Sequence, residues 1–254
     1  MDEEKGVGMG KRLTDGIERV LFIIIIVVLS VGAYARNSFW KDEIGLWTDC
    51  VRKAPQKERP HHNLGYAYYE KGCFEEAKRE LGEALTLNPD YTLSWYNLGL
   101  VYYRKGMTKE AIDCYEKALD LDSPPPETHY NLGLAYHQKG LYSKAIEAFQ
   151  TFLEVKPDYR NGYNNLGLAY QRLGRWDEAA KSFQEELRWN PENPYAYLYL
   201  GDLYHQLKDD PRALVYYRKA LACPGVPDAG RIEKTVSSIQ RSSPTRPSPL
   251  GGGG

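Results

Sequence analysis

The stretch Trp95–Tyr115, WYNLGLVYYRKGMTKEAIDCY, decides the fold, because its landmarks recur at one fixed spacing. Its Leu98-Gly99 pair has counterparts at Leu64-Gly65, Leu132-Gly133, Leu166-Gly167 and Leu200-Gly201, each 34 residues from the next. The tyrosine that follows keeps step at Tyr68, Tyr102, Tyr136, Tyr170 and Tyr204, and an alanine does so at Ala77, Ala111, Ala145, Ala179 and Ala213. Such a period belongs to stacked two-helix units, each too small to bury its apolar face alone. A glycine inside a helix costs about 1 kcal/mol relative to alanine, so five in register imply a close helix crossing. The alanines are expected to face those glycines, with Leu81, Tyr115, Phe149, Phe183 and Tyr217 filling the volume beside the crossing.

The full pattern, Trp95-x2-Leu98-Gly99-x2-Tyr102 followed by Ala111-x3-Tyr115, resembles the tetratricopeptide repeat family. That resemblance implies an all-α fold, a right-handed superhelical solenoid of antiparallel helix pairs. Five repeats are expected at 58–91, 92–125, 126–159, 160–193 and 194–227. Gly72, Gly106, Gly140 and Gly174 stand where the first helix of a repeat needs a left-handed terminal residue, and Pro89, Pro157 and Pro191 stop the second helix. The fifth repeat departs from this, with Lys208 in the glycine slot and Asp209-Asp210-Pro211 as an acidic cap with proline in the first turn.

Upstream, sixteen uncharged residues lie between Arg19 and Arg36, slightly short of the roughly 17–25 that span a bilayer. A transmembrane anchor at 20–36, with a cytoplasmic segment at 1–19, is the favoured reading. A cleaved signal peptide ending at Ala33-Tyr34-Ala35 is the rival, disfavoured by the acids Asp2, Glu3, Glu4, Asp15 and Glu18. Trp47 lies one period before Leu81 and Pro55 one period before Pro89, so 37–57 reads as a degenerate half repeat whose helix covers about 38–53. At the other end Ile232, Val236 and Ile239 predict a capping helix over 228–241, and the Pro, Ser and Gly of 242–254 predict a disordered tail.

With 33 basic and 34 acidic residues and no single-sign run, the chain lacks the electrostatic footprint of nucleic-acid binding. Cys50, Cys73, Cys114 and Cys223 are scattered, and His61, His62, His129, His137 and His205 share no metal-ligand spacing, so neither a metal nor another cofactor is expected. No nucleotide loop, nucleophile elbow or zinc-protease motif is present, which points away from an enzyme and leaves no candidate catalytic residue.

Binding is the remaining work. Residues of the first helices out of phase with Leu-Gly-Tyr would line the concave groove, among them Tyr69, Tyr103, Arg104, His137 and Arg172. Asn63, Asn97, Asn131 and Asn165 form a ladder one residue before each Leu-Gly, and a primary amide can pair with any peptide group. Two roles stay open for it, a strut between repeats or a contact to an extended polypeptide. The pattern resembles the repeat domain of O-GlcNAc transferase, whose asparagine ladder implies the second role. The chaperone-tail clamp of related repeats is disfavoured, because His62, Tyr66, Asn97, Glu127 and Asn131 occupy its positions.

The junction carrying Trp40, Asp42, Glu43, Leu46, Trp47 and Pro55 resembles that of transmembrane O-mannosyltransferase-like repeat proteins, which implies an extracytoplasmic repeat domain. Those enzymes have many membrane segments where this chain has one, so no activity is carried over. The expected function is a single-pass, membrane-anchored scaffold that holds protein or extended peptide, with periplasmic or lumenal repeats. The alternative is a detached repeat module serving a separately encoded, multispanning membrane glycosyltransferase.

Overall fold

The computed structural model describes residues 24–30 and 42–242, which are helices and short connections, with no strand among the described residues. Residues 24–30 are helical and exposed. Among the described residues no helix is long and apolar enough to cross a membrane. The rest of the expected anchor at 20–36, the segment 1–19 and most of the tail at 242–254 lie outside the described residues. The described residues fall into two compact units, with a boundary between Ser94 and Trp95, inside the helix Thr92–Arg104.

In the first unit the helices Glu43–Lys53, Glu58–Glu70 and Phe74–Leu87 pack in sequence order. Leu64 and Ala67 on Glu58–Glu70, with Ala77, Leu81, Ala84 and Leu85 on Phe74–Leu87, are its buried apolar residues, placed at helical spacing so that these two helices each turn one stripe inward. No residue of Glu43–Lys53, the helix of the expected half repeat, is fully buried.

The second unit continues the pattern with the pairs Glu127–Gln138 and Tyr142–Val155, Gly162–Arg172 and Trp176–Trp189, and Pro194–Gln206 and Asp210–Ala222. Each second helix also packs on the first helix of the next pair, as Thr108–Leu119 does on Glu127–Gln138. One core cluster therefore runs from Ala111 to Ile239.

The helix crossing corrects one expectation. A Cβ added at Gly133 would stand 2.7 Å from the Phe149 ring, one at Gly99 2.5 Å from Tyr115, and one at Gly201 2.6 Å from Tyr217. The glycines thus face the large residues, with the alanines fully buried one turn earlier on the same helix. A helix residue covers the surface over the turn before it, which is why the ring four residues on reaches the glycine.

The turns inside the repeats share one geometry. Gly72, Gly106, Gly140 and Gly174 have φ between 71° and 79°. In repeat 3 the turn is closed by Gly140 N donating to His137 O at 3.0 Å and Leu141 N donating to Tyr136 O at 2.9 Å. Repeat 5 makes the same two bonds with Lys208 at φ 62°, a left-handed conformation that costs an L-residue about 1–2 kcal/mol. Its following helix is capped by Asp209, whose side chain accepts from Arg212 N, with proline in the first turn. The helix Ala229–Ser242 then lays Ile232 and Ile239 into the core beside Ala213, Tyr217 and Ala220. It is pinned by a fork from Arg231 to both carboxyl oxygens of Asp202 at 3.1 Å.

Candidate functional site

The asparagines expected to form a ladder are not equivalent. Asn131 Nδ2 donates to the Tyr96 hydroxyl at 3.1 Å, and Asn165 Nδ2 donates to the Tyr130 hydroxyl at 2.8 Å. Each bond ties one first helix to the one before, the geometry that a strut between repeats would have. Asn97 is buried and Asn63 half-buried. Tyrosine replaces asparagine at Tyr199 in the fifth repeat.

The other expected groove residues are dispersed. Tyr69 packs near Phe74 with ring centroids 6.2 Å apart. Tyr103 is half-buried and burial pushes its hydroxyl pKa up, whereas Arg104 and Arg172 are exposed. His137 stacks edge-on against Tyr142 at 5.3 Å, and its buried Nε2 has no hydrogen-bond partner. Burial first, and the Arg172 charge second, lower the His137 pKa and keep the ring neutral at ordinary pH.

A concave site does form in the second unit, from residues that were mostly not anticipated. Tyr130, Asn161, Asn164, Asn165, Tyr195 and Tyr199 line a cleft of about 270 Å³. They come from the first helices of repeats 3, 4 and 5 and the turn before the fourth. Tyr195 is 42% exposed and also lines a second hollow, of about 590 Å³, with Trp189, Glu192 and Pro224. Of the expected ladder only Asn165 contributes to the first cleft.

Behind the cleft lies a buried polar cluster centred on Glu186, which is fully buried. Its Oε1 accepts from Asn161 N at 2.9 Å, Asn190 Nδ2 at 2.9 Å and Asn193 Nδ2 at 2.8 Å. Asn161, left-handed at φ 64°, offers its own Oδ1 to Asn164 Nδ2 at 3.0 Å and Asn193 Nδ2 at 2.9 Å. Glu186 Oε2 and Asn164 Oδ1 are buried without a partner. The signal for this cluster stood in the 34-residue register. The positions of Asn164, Glu186 and Asn193 correspond to Tyr130, Phe152 and Tyr159 one repeat earlier. There the three rings touch, with centroids 4.8 to 5.1 Å apart. Repeat 4 has exchanged an aromatic trio for a polar one.

The cleft offers hydrogen-bond acceptors, hydroxyls and aromatic walls, which suits recognition of a polar chain. Among the described residues no group of three or more His, Cys, Asp or Glu is placed to hold a metal ion.

Comparison with known proteins agrees with this fold. Tetratricopeptide-repeat patterns match residues 164–227, 65–106 with 135–174, and 93–123. The solved structure of YrrB, described as a TPR protein with an unusual peptide-binding site, is similar with a TM-score of 0.67 and 23% identity. The match covers 75% of this chain and 97% of YrrB. The structure of MamA gives a TM-score of 0.60 and 26% identity, covering 69% of this chain and 97% of MamA. A Caenorhabditis elegans protein, protein O-mannosyl-transferase F38B6.6, is 31% identical over 72 residues. That match covers 28% of this chain, which spans only a tenth of the length of that relative.

Proposed function

Starting from a chain built of tetratricopeptide repeats, we propose that it is a scaffold that binds extended polypeptide along its first helices and acts by holding a partner, with no reaction of its own. The observation that carries this reading is the cleft of Tyr130, Asn164, Asn165, Tyr195 and Tyr199, in which amides and hydroxyls alternate with ring faces. Amides supply both donors and acceptors to a peptide backbone, and tyrosines give contact area at low entropic cost. The peptide-binding site described for the similarly folded YrrB supports the same class of ligand.

The uncharged run between Arg19 and Arg36 supports anchoring of this scaffold in a membrane, and the resemblance of the junction at Trp40–Pro55 to transmembrane O-mannosyltransferase-like repeat proteins supports repeats on the extracytoplasmic side. The local match to an O-mannosyl-transferase favours a second reading of the partner, in which the repeats serve a membrane glycosyltransferase encoded separately. In both readings the groove is the working surface.

Photo-crosslinking tests the groove. A benzophenone side chain at Tyr195, in the cleft, should capture peptides from a library of extended sequences. The same group at Val215, which is exposed on the second helix of repeat 5, should capture few. Equal capture at both positions, or none at Tyr195, would refute the reading.

A further inference from the structure

The cluster behind the cleft has a surplus of acceptors. At the register position of Glu186 the other repeats carry Ala84, Ala118, Phe152 and Ala220, all fully buried. A carboxyl group placed there is costly unless its oxygens are satisfied and its charge is paired. Three neutral donors converge on Oε1, none reaches Oε2, and no cationic side chain pairs with it among the described residues. Asn164, only 2% exposed and lining the cleft, likewise keeps Oδ1 without a donor. What the arrangement lacks is a donor that carries positive charge.

We propose that the cleft captures a primary ammonium group of a bound peptide. Asn164 Oδ1 accepts from it, the Tyr195 and Tyr199 rings form the walls, and the buried Glu186 carboxyl beneath supplies the compensating charge. This deepens the groove reading and rests on it. An ammonium is a compact charge with three donors, whereas a guanidinium needs a planar fork of acceptors that the cleft does not present. The ring centroids of Tyr195 and Tyr199 lie 6.3 Å apart, and aromatic faces attract a cation that passes over them. The Tyr130 hydroxyl, which also lines the cleft, senses the same field. Burial first, then Tyr159, with Glu186 adding, pushes its pKa up to about 12. Either a lysine side chain or a free N-terminus supplies this chemistry.

The test uses the full chain and capped Ser/Thr peptides that carry one central lysine, arginine or norleucine. An uncapped peptide without lysine forms the fourth arm, and binding is read by calorimetry. Lysine should bind about tenfold tighter than norleucine, the scale of one charge-assisted hydrogen bond. Tight binding of the uncapped peptide would assign the source to the N-terminus. Glu186→Gln, which keeps the shape and removes the charge, should bring lysine and norleucine to near equality. The combined Asn164→Tyr, Glu186→Phe and Asn193→Tyr variant copies the aromatic trio of repeat 3; it should keep its helicity and lose the preference. Equal binding of lysine and norleucine by the parent with no gain for the uncapped peptide, a preference for arginine, or an ammonium preference that survives Glu186→Gln would each overturn the ammonium site while leaving the groove. If no peptide of the set binds, the groove reading falls and this inference falls with it.

Discussion

Replacing Gly133 with alanine isolates the helix crossing from every other effect of adding a methyl group. The new Cβ would lie 2.7 Å from both Cδ1 and Cε1 of Phe149, a ring that is 1% exposed and walled in by the core. Ordinary carbon contacts sit near 3.5–4.0 Å, so the ring must retreat by about 1 Å in a space packed on all sides. Such overpacking costs about 1–3 kcal/mol, against which alanine recovers about 1 kcal/mol of helix propensity. Gly82 is the control, a glycine inside Phe74–Leu87 where an added methyl group would meet nothing within 4 Å. Gly82→Ala should therefore stabilise by about 1 kcal/mol, and Gly133→Ala should fall about 1–3 kcal/mol below it. Urea titrations followed by helical circular dichroism measure both. In a Phe149→Ala background the Gly133→Ala penalty should vanish, since its cause has been removed. If Gly133→Ala stabilises as much as Gly82→Ala, the crossing has been misread.

Three further outcomes follow from named contacts. Asn131→Ala and Tyr96→Phe should each cost about 1 kcal/mol, and the double variant little more than either, because both delete one hydrogen bond; additive losses in a denaturation cycle would contradict the strut. Lys208→Gly should raise stability by about 1 kcal/mol by relieving the left-handed backbone at φ 62°. An unchanged or lower melting midpoint would count against strain there. Burial first, with the Arg59 charge second, holds the His62 pKa down to about 4, so between pH 6.5 and 4 the unfolded chain binds a proton that the folded chain refuses. Its contribution is complete above pH 6.5 and lost as the pH falls through 4, a swing of about 3 kcal/mol that His62→Gln should abolish in acid titrations of stability.

The repeats were legible in the sequence because their devices are local and periodic. A glycine that must sit against a ring, a left-handed turn residue and a proline that ends a helix each leave a fixed mark every 34 residues. The partner of each glycine was less legible. Register places Ala145 and Phe149 on the same helix face, and only the side-chain direction along a helix decides that the ring meets Gly133. The proposed binding surface was harder still. Asn131 and Asn165 attracted attention as a regular series, and in these two the amide bonds a tyrosine hydroxyl on the first helix before it. The cleft instead draws on Asn164 and, behind it, Glu186 and Asn193, where the series breaks. In a repeat array the periodic residues carry the framework and departures from the period carry the individual site.

The helix Ala229–Ser242 has a consequence for assembly. Ile232 and Ile239 occupy the face of repeat 5 on which a sixth repeat would otherwise stack. A surface shaped to receive the next unit in a series is not self-complementary, so without its cover it would seek the leading end of another molecule rather than close into a symmetric pair. Such joints propagate. The Arg231–Asp202 fork that clasps this helix is in that sense a chain terminator, in the polymer chemist's meaning.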